Sequence, residues 1–86
     1  MKHASHPDIV KRLKRAEGHL RSIIDMFGHG RSCLDLAQQL HAVESAVANA
    51  KREMIHDHIE HCLDDPNGPL SGKGALKELK AITKFL

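Results

Sequence analysis

The sequence predicts an all-α protomer of three helices, in which two long helices form an antiparallel hairpin and a short C-terminal helix follows. Apolar residues recur alternately every four and three residues along two stretches, which a short glycine-rich turn separates. We call each of these rows a seam. A chain of 86 residues hides little of its surface when it folds alone. One hairpin cannot cover both seams, so we expect two hairpins to dimerise into a four-helix bundle.

The first helix is predicted over residues 7–28, after a flexible N-terminal arm of residues 1–6. Pro7 suits the first turn of a helix, and the glycines of Gly28-His29-Gly30 end it. Its seam consists of Ile9, Leu13, Ala16, Leu20, Ile23 and Phe27.

The second helix is predicted over residues 32–65, because Ser32 and Asp35 fit a capping box and no Gly or Pro interrupts the stretch. The third helix is predicted over residues 73–86, beyond a run rich in Pro and Gly. The whole chain, residues 1–86, is expected to be one domain. The seam of the second helix consists of Leu36, Leu40, Val43, Val47, Ala50 and Met54.

Composition excludes several classes of function. With two Phe and no Trp or Tyr, the chain lacks the aromatic platforms on which single-stranded nucleic acids stack. No apolar run approaches the length of a membrane helix, and the N-terminus lacks the apolar core of a signal peptide, so we expect a cytoplasmic protein without a membrane partner. No nucleophile–base set or phosphate loop is visible, which argues against an enzyme.

Thiol and imidazole groups predict a metal site that two chains share. His58 and Cys62 are four residues apart, so they share one face of a helix. Cys33 lies about 37 Å from His58 along a straight helix, and only an antiparallel dimer brings it to the same ion. Thiolate and imidazole suit Cu(I), Ni(II), Co(II) or Zn(II). The alternative is an incidental His–Cys pair and a buried structural Cys33. His61 is expected beside the ligands rather than among them.

A basic face on the first helix predicts contacts with the phosphates of double-stranded DNA. The net charge of +2 combines +4 in residues 1–31, −5 in residues 32–69 and +3 in residues 70–86. An ordinary solvated surface is the alternative. In a dimer the contacts would be multiplied and salt-dependent. The candidate DNA contacts are Lys11, Arg12, Lys14, Arg15 and Arg21, with Lys51 and Arg52 as weaker candidates on the second helix.

The run from Arg12 to Leu20, followed by Cys33, Gln39–Val43 and His58–Cys62, resembles the CsoR/RcnR family of metal-sensing transcriptional repressors. The resemblance covers residues 9–64 without a gap. It implies dimers that pair into tetramers, bind operator DNA when metal-free and release it on binding metal. It also implies that Cys33, His58 and Cys62 are the metal ligands and that Arg12 and Arg15 are the strongest DNA contacts.

The identity of the metal depends on the N-terminal histidines. Nickel- and cobalt-sensing members of the resembled family recruit an N-terminal His, and this chain has His3 and His6. Ni(II) and Co(II) also accept more nitrogen ligands than Cu(I) does. Ser32 stands where copper-sensing members have a Tyr, although Glu78 matches the Glu that those members link to the ligating His. A disordered tail is the alternative for the two histidines.

We therefore predict a repressor that Ni(II) or Co(II) releases from its operator, which derepresses metal efflux or resistance genes. One alternative is a Cu(I)-responsive repressor on the same scaffold. Another is a thiol-redox or persulfide sensor, in which Cys33 and Cys62 join across protomers. A helical metal-storage module without an operator is a third.

Overall fold

The computed structural model describes residues 6–64 and 73–86, without the side chains of residues 62–64, 73 and 75. The described residues form three α-helices and no strand: α1 spans His6–Phe27, α2 spans Cys33–Asp64 and α3 spans Lys73–Thr83. α1 and α2 pack together along their length, and α3 packs on α2. The predicted all-α class with three helices is confirmed.

The first helix begins one residue earlier than the sequence predicts, at His6. His6 therefore belongs to α1 rather than to the N-terminal arm, with Pro7 in the first turn, where its missing N–H is not needed. Residues 1–5 lie outside the described residues. After Phe27 the chain turns through Gly30, whose φ of 68° lies in the left-handed region that favours glycine.

The second helix begins with a cap that fixes its first residue. The backbone N–H of Asp35 donates to Oγ of Ser32 over 3.1 Å. Oδ2 of Asp35 accepts from Nε of Arg31 over 2.7 Å. Ser32 thus satisfies one of the N–H groups that a helix start leaves without an intrahelical partner. This cap holds Cys33 in place as the first residue of α2.

The third helix ends at Thr83, before the predicted end at Leu86. The last N–H groups bond back by three residues rather than four, as from Phe85 to Ile82 over 3.0 Å. A tightened last turn of this kind is common where a helix ends.

The core of the hairpin uses alternate members of each seam. These members follow one another every seven residues, so they lie along one line of their helix. Ala16 and Ile23 of α1 form a cluster with Leu36 and Val43 of α2, and Met26 packs against it. The buried seam residues are Ile9, Ala16 and Ile23 on α1 and Leu36, Val43 and Ala50 on α2.

The other members of the two seams remain open to solvent. Each is between 41% and 61% exposed, although the sequence assigns them to the same apolar rows as the core. We call these residues the open stripe. Apolar surfaces of this kind mark sites for a protein partner, a membrane or a ligand. The open stripe consists of Leu13, Leu20 and Phe27 on α1 and Leu40, Val47 and Met54 on α2.

The Ser32 cap gives a stability prediction. Replacing Ser32→Ala is expected to lower the free energy of unfolding by about 1 kcal/mol, because the N–H of Asp35 loses its acceptor. Urea unfolding at one fixed protein concentration measures the change. Ser45→Ala, at an exposed position in the middle of α2, is the control. It should lose no stability, since Ala favours the helix interior. Equal unfolding midpoints for the two variants would contradict the capping role.

Candidate functional site

The hairpin has two chemically different ends. At the closed end, where the turn joins the helices, the side chain of Cys33 is exposed. At the open end, where α1 begins and α2 finishes, His6, Asp57, His58 and His61 are all half-buried. Each of these four residues takes part in at least one polar or electrostatic interaction. The open end therefore concentrates imidazole groups, and the closed end carries a thiol.

His58 lies near the end of α2, and its Nε2 atom is shielded from solvent. Cys62 follows one turn further along the same helix, although its side chain is outside the described residues. A helix brings residues at this spacing onto one face, with Cβ atoms about 5–6 Å apart. His3 lies outside the described residues. Of the two predicted N-terminal ligands, only His6 can be located, and it lies at the same end of the hairpin as His58.

Cys33 and His58 do not meet within one chain. They lie on the same uninterrupted helix, Cys33–Asp64, and at 1.5 Å per residue they are about 37 Å apart. Among the described side chains, no three His, Cys, Asp or Glu residues of the chain could together hold a metal ion. A single ion can contact both Cys33 and His58 only if the two residues come from different chains.

The predicted basic face lies on the solvent side of α1. All seven predicted contacts are exposed: Lys11, Arg12, Lys14, Arg15, Arg21, Lys51 and Arg52. Arg12 and Arg15 differ from the others because both line two grooves between α1 and α2. These two arginines are the ones that the family resemblance singles out. Their guanidinium groups can bind phosphate in the bidentate geometry that favours Arg over Lys.

The smaller groove contains polar residues that the sequence did not predict to be functional. It has a volume of about 370 Å³, and His19 and Asn49 line it together with Arg12 and Arg15. Nε2 of His19 lies 2.6 Å from Oε1 of Gln39, a hydrogen bond that fixes the imidazole across the hairpin. No signal in the sequence alone identifies these neighbours, because they depend on the register in which α1 and α2 pack antiparallel.

A second unpredicted contact joins the basic face to α2. Nη1 of Arg12 lies 2.8 Å from Oε2 of Glu53, and both side chains are about half exposed. The larger groove, of about 520 Å³, lies around this ion pair. Glu78, which the sequence predicts to support the metal ligands, is exposed on α3.

The described residues thus form an all-helical hairpin. It has a basic face on α1, an exposed thiol at the start of α2 and imidazole groups near its end. Residues 5–85 match the family described as metal-sensitive transcriptional repressor. The chain belongs to this family, and the resemblance predicted from the sequence is confirmed. Its members are repressors rather than enzymes. Among the described helices, none has the length and apolar character needed to cross a bilayer.

Individual relatives respond to different metals. The copper-sensing transcriptional repressor CsoR of Bacillus subtilis strain 168 is 37% identical over 76 residues, which cover 88% of this chain and 75% of that protein. The CsoR of Mycobacterium ulcerans is 40% identical over 76 residues but only 65% of its length is covered. The solved structure of the nickel-responsive transcriptional regulator InrS is similar at a TM-score of 0.80 and 30% identity, covering 100% of this chain and 98% of that one.

The position of Arg15 gives a prediction for DNA binding. Arg15→Gln is expected to weaken binding to all DNA sequences by a similar factor and to lower the salt dependence by about one phosphate contact per protomer. Fluorescence anisotropy over a range of salt concentrations measures both quantities. Lys84→Gln removes an exposed positive charge beyond α3 and is the control. If both variants lose affinity equally, the effect is one of net charge, and a phosphate contact by Arg15 is refuted.

Proposed function

We propose that the metal-free protein binds operator DNA through α1 and that Ni(II) or Co(II) releases it, which derepresses metal efflux or resistance genes. Membership of the family of metal-sensitive transcriptional repressors supports a repressor that responds to a metal. The observation that carries the proposal is the separation of Cys33 from His58 on one rigid helix, next to a stripe that a second chain can cover. The following steps connect these features to release.

A dimer explains the open stripe. The stripe runs along both helices and includes half of each predicted seam. Two hairpins packed antiparallel over these stripes form a four-helix bundle, in which each chain buries the apolar groups that the other leaves exposed. Burying apolar surface contributes about 25 cal/mol per Å², so the six side chains supply a substantial driving force for association. Two dimers then pair into a tetramer, as the family resemblance implies.

The same packing completes the metal site. In an antiparallel bundle the start of α2 in one chain lies beside the end of α2 in its partner. Cys33 of one protomer then joins His58 and Cys62 of the other, with His61 and Glu78 as supporting residues. The exposed thiol of Cys33 suits such a contact, because it is available to a group outside its own chain. The bound metal would supply a link between two subunits that the protein alone does not make.

His6 favours Ni(II) or Co(II) over Cu(I). It lies in the first turn of α1, at the open end where α2 carries His58. His6, with His3 from the N-terminal arm, would add imidazole nitrogens to the two thiolates and one imidazole. Ni(II) and Co(II) use such additional nitrogens, whereas Cu(I) is satisfied with fewer and softer ligands. The nickel-responsive InrS, similar over the whole chain, supports this choice.

Cu(I) is the second candidate because the curated relatives named above are copper-sensing. The residues Cys33, His58 and Cys62 suffice for Cu(I) without any N-terminal histidine. Both candidates use the same ligands from α2, so they differ in their dependence on His3 and His6.

Release follows from linkage between the two sites. Arg12, Arg15 and their neighbours bind phosphates only when the α1 helices of the assembly are correctly spaced along DNA. If the metal-linked bundle holds those helices at another spacing, metal and DNA oppose each other reciprocally. Couplings of this kind are typically about 5- to 150-fold in affinity.

Titration with a panel of metals tests the identity of the effector. Metal-free protein is bound to DNA from its own upstream region, and Ni(II), Co(II) or Cu(I) is added. Ni(II) and Co(II) are expected to weaken DNA binding at least about fivefold. His6→Gln should reduce the response to Ni(II) but leave Cu(I) binding intact. His41→Gln, at an exposed imidazole on α2, is the matched control and should behave as the parent protein.

Three results would contradict the nickel and cobalt proposal. Release by Cu(I) alone, unaffected by His6→Gln, would favour the copper sensor. A full response in the His58→Ala variant would favour the thiol-redox sensor, since that chemistry requires only the cysteines. Absence of any preference for the upstream DNA would favour a metal-storage module.

A further inference from the structure

The Arg12–Glu53 ion pair joins the DNA-binding face to the helix that carries the metal ligands. Arg12 is on α1, and Glu53 is on α2, five residues before His58. The two charged atoms are 2.8 Å apart, and both side chains are about half exposed. The pair is therefore close enough for a charge-assisted hydrogen bond and accessible enough to be replaced.

The groove around this pair is mainly basic on the α1 side and mainly acidic on the α2 side. α1 contributes Lys11, Arg12 and Arg15 together with Asp8, and α2 contributes Glu53, Asp57 and Glu60 together with His56. The acidic residues are spaced by four and three residues, so they follow one face of the helix. The carboxylates on this face of α2 lie opposite the Lys and Arg side chains of α1 that are proposed to bind DNA phosphates. Glu53 forms its ion pair with Arg12 of α1.

A carboxylate and a phosphate compete for the same guanidinium. Both are anionic oxygen acceptors that bind the planar N–H groups of Arg. While Glu53 holds Arg12, part of the positive charge that DNA requires is already neutralised. Because exposed ion pairs are weak, this competition can adjust DNA affinity without preventing binding.

The covalent path from Glu53 to His58 is short and stiff. Both residues lie within the uninterrupted helix Cys33–Asp64. Their five-residue separation corresponds to a rise of about 7.5 Å along the helix. A force that moves the end of α2 therefore moves Glu53 as well, relative to α1 and to Arg12.

We propose that Glu53 is a positioning residue that competes with DNA phosphate for Arg12 and transmits a change at His58 to the DNA-binding face. The proposal rests on the function proposed above. When a metal links the end of α2 to the partner chain, Glu53 holds Arg12 more firmly and DNA is released. Without metal, Glu53 yields Arg12 to the phosphate more readily.

Neutralising Glu53 tests this role. Glu53→Gln keeps the shape of the side chain and removes its charge. The metal-free variant is expected to bind operator DNA about two- to fivefold more tightly than the parent protein, the range of a weak exposed ion pair. The ratio between metal-free and metal-loaded affinities should fall by at least a similar factor. The metal stoichiometry and the absorption spectrum of the bound metal should not change.

Glu44→Gln is the matched control, because Glu44 is another exposed carboxylate on α2. It removes the same net charge away from Arg12. A double-mutant cycle with Arg12→Gln isolates the pair, and Glu53→Gln should have no extra effect once Arg12 is absent. Urea unfolding confirms that each variant remains folded.

Two results overturn the proposal. If Glu53→Gln and Glu44→Gln change metal-free DNA affinity equally, Glu53 does not compete for Arg12. If Glu53→Gln tightens DNA binding but keeps the affinity ratio of the parent protein, Glu53 does not transmit the metal signal. Failure of the parent protein to release DNA with any metal would refute the proposed function instead, and is seen before any variant is made.

Discussion

The stiffness of α2 is the constraint on which the rest of the structure depends. A helix of 32 residues without Gly or Pro keeps its two ends apart, so Cys33 and His58 cannot share an ion within one chain. The Ser32 cap fixes the first turn, and the packing of Ile23 and Val43 in the hairpin core fixes the middle. In the proposed antiparallel dimer, the start of α2 in one chain would lie beside the end of α2 in the other, so Cys33 and His58 of different chains would meet.

The open stripe and the proposed division of the metal site between two chains both follow from the shape of one hairpin. The hairpin buries only one of the two apolar lines of each seam, and it keeps Cys33 and His58 at opposite ends of α2. Ala16 and Val43 belong to the line of each seam that is buried within the hairpin. Leu20 and Val47 belong to the neighbouring line, which remains exposed. In the proposed dimer, assembly and metal binding would be coupled, and the ion pair between Arg12 and Glu53 would extend that coupling to the proposed DNA-binding face.

Much of the hairpin follows directly from local sequence, whereas the contacts between helices do not. The seams identify two amphipathic helices, and Ser32 and Gly30 mark where one ends and the next begins. Periodicity alone cannot say which members of a seam face the other helix of the same chain. That choice depends on the register of the hairpin. The same register determines the contacts of Arg12 with Glu53 and of His19 with Gln39, which span 41 and 20 residues of sequence.

Mixing two inactive variants tests the intersubunit metal site most directly. Cys33→Ala and His58→Ala proteins should each bind no metal at this site. After they are unfolded and refolded together, about half of the dimers are mixed, and each mixed dimer regains one intact site, so about one ion binds per four chains. Mixing His58→Ala with Cys62→Ala should restore nothing, because both changes lie at the same end of α2. Metal binding by either variant alone, or no recovery in the first mixture, would contradict a site shared between chains.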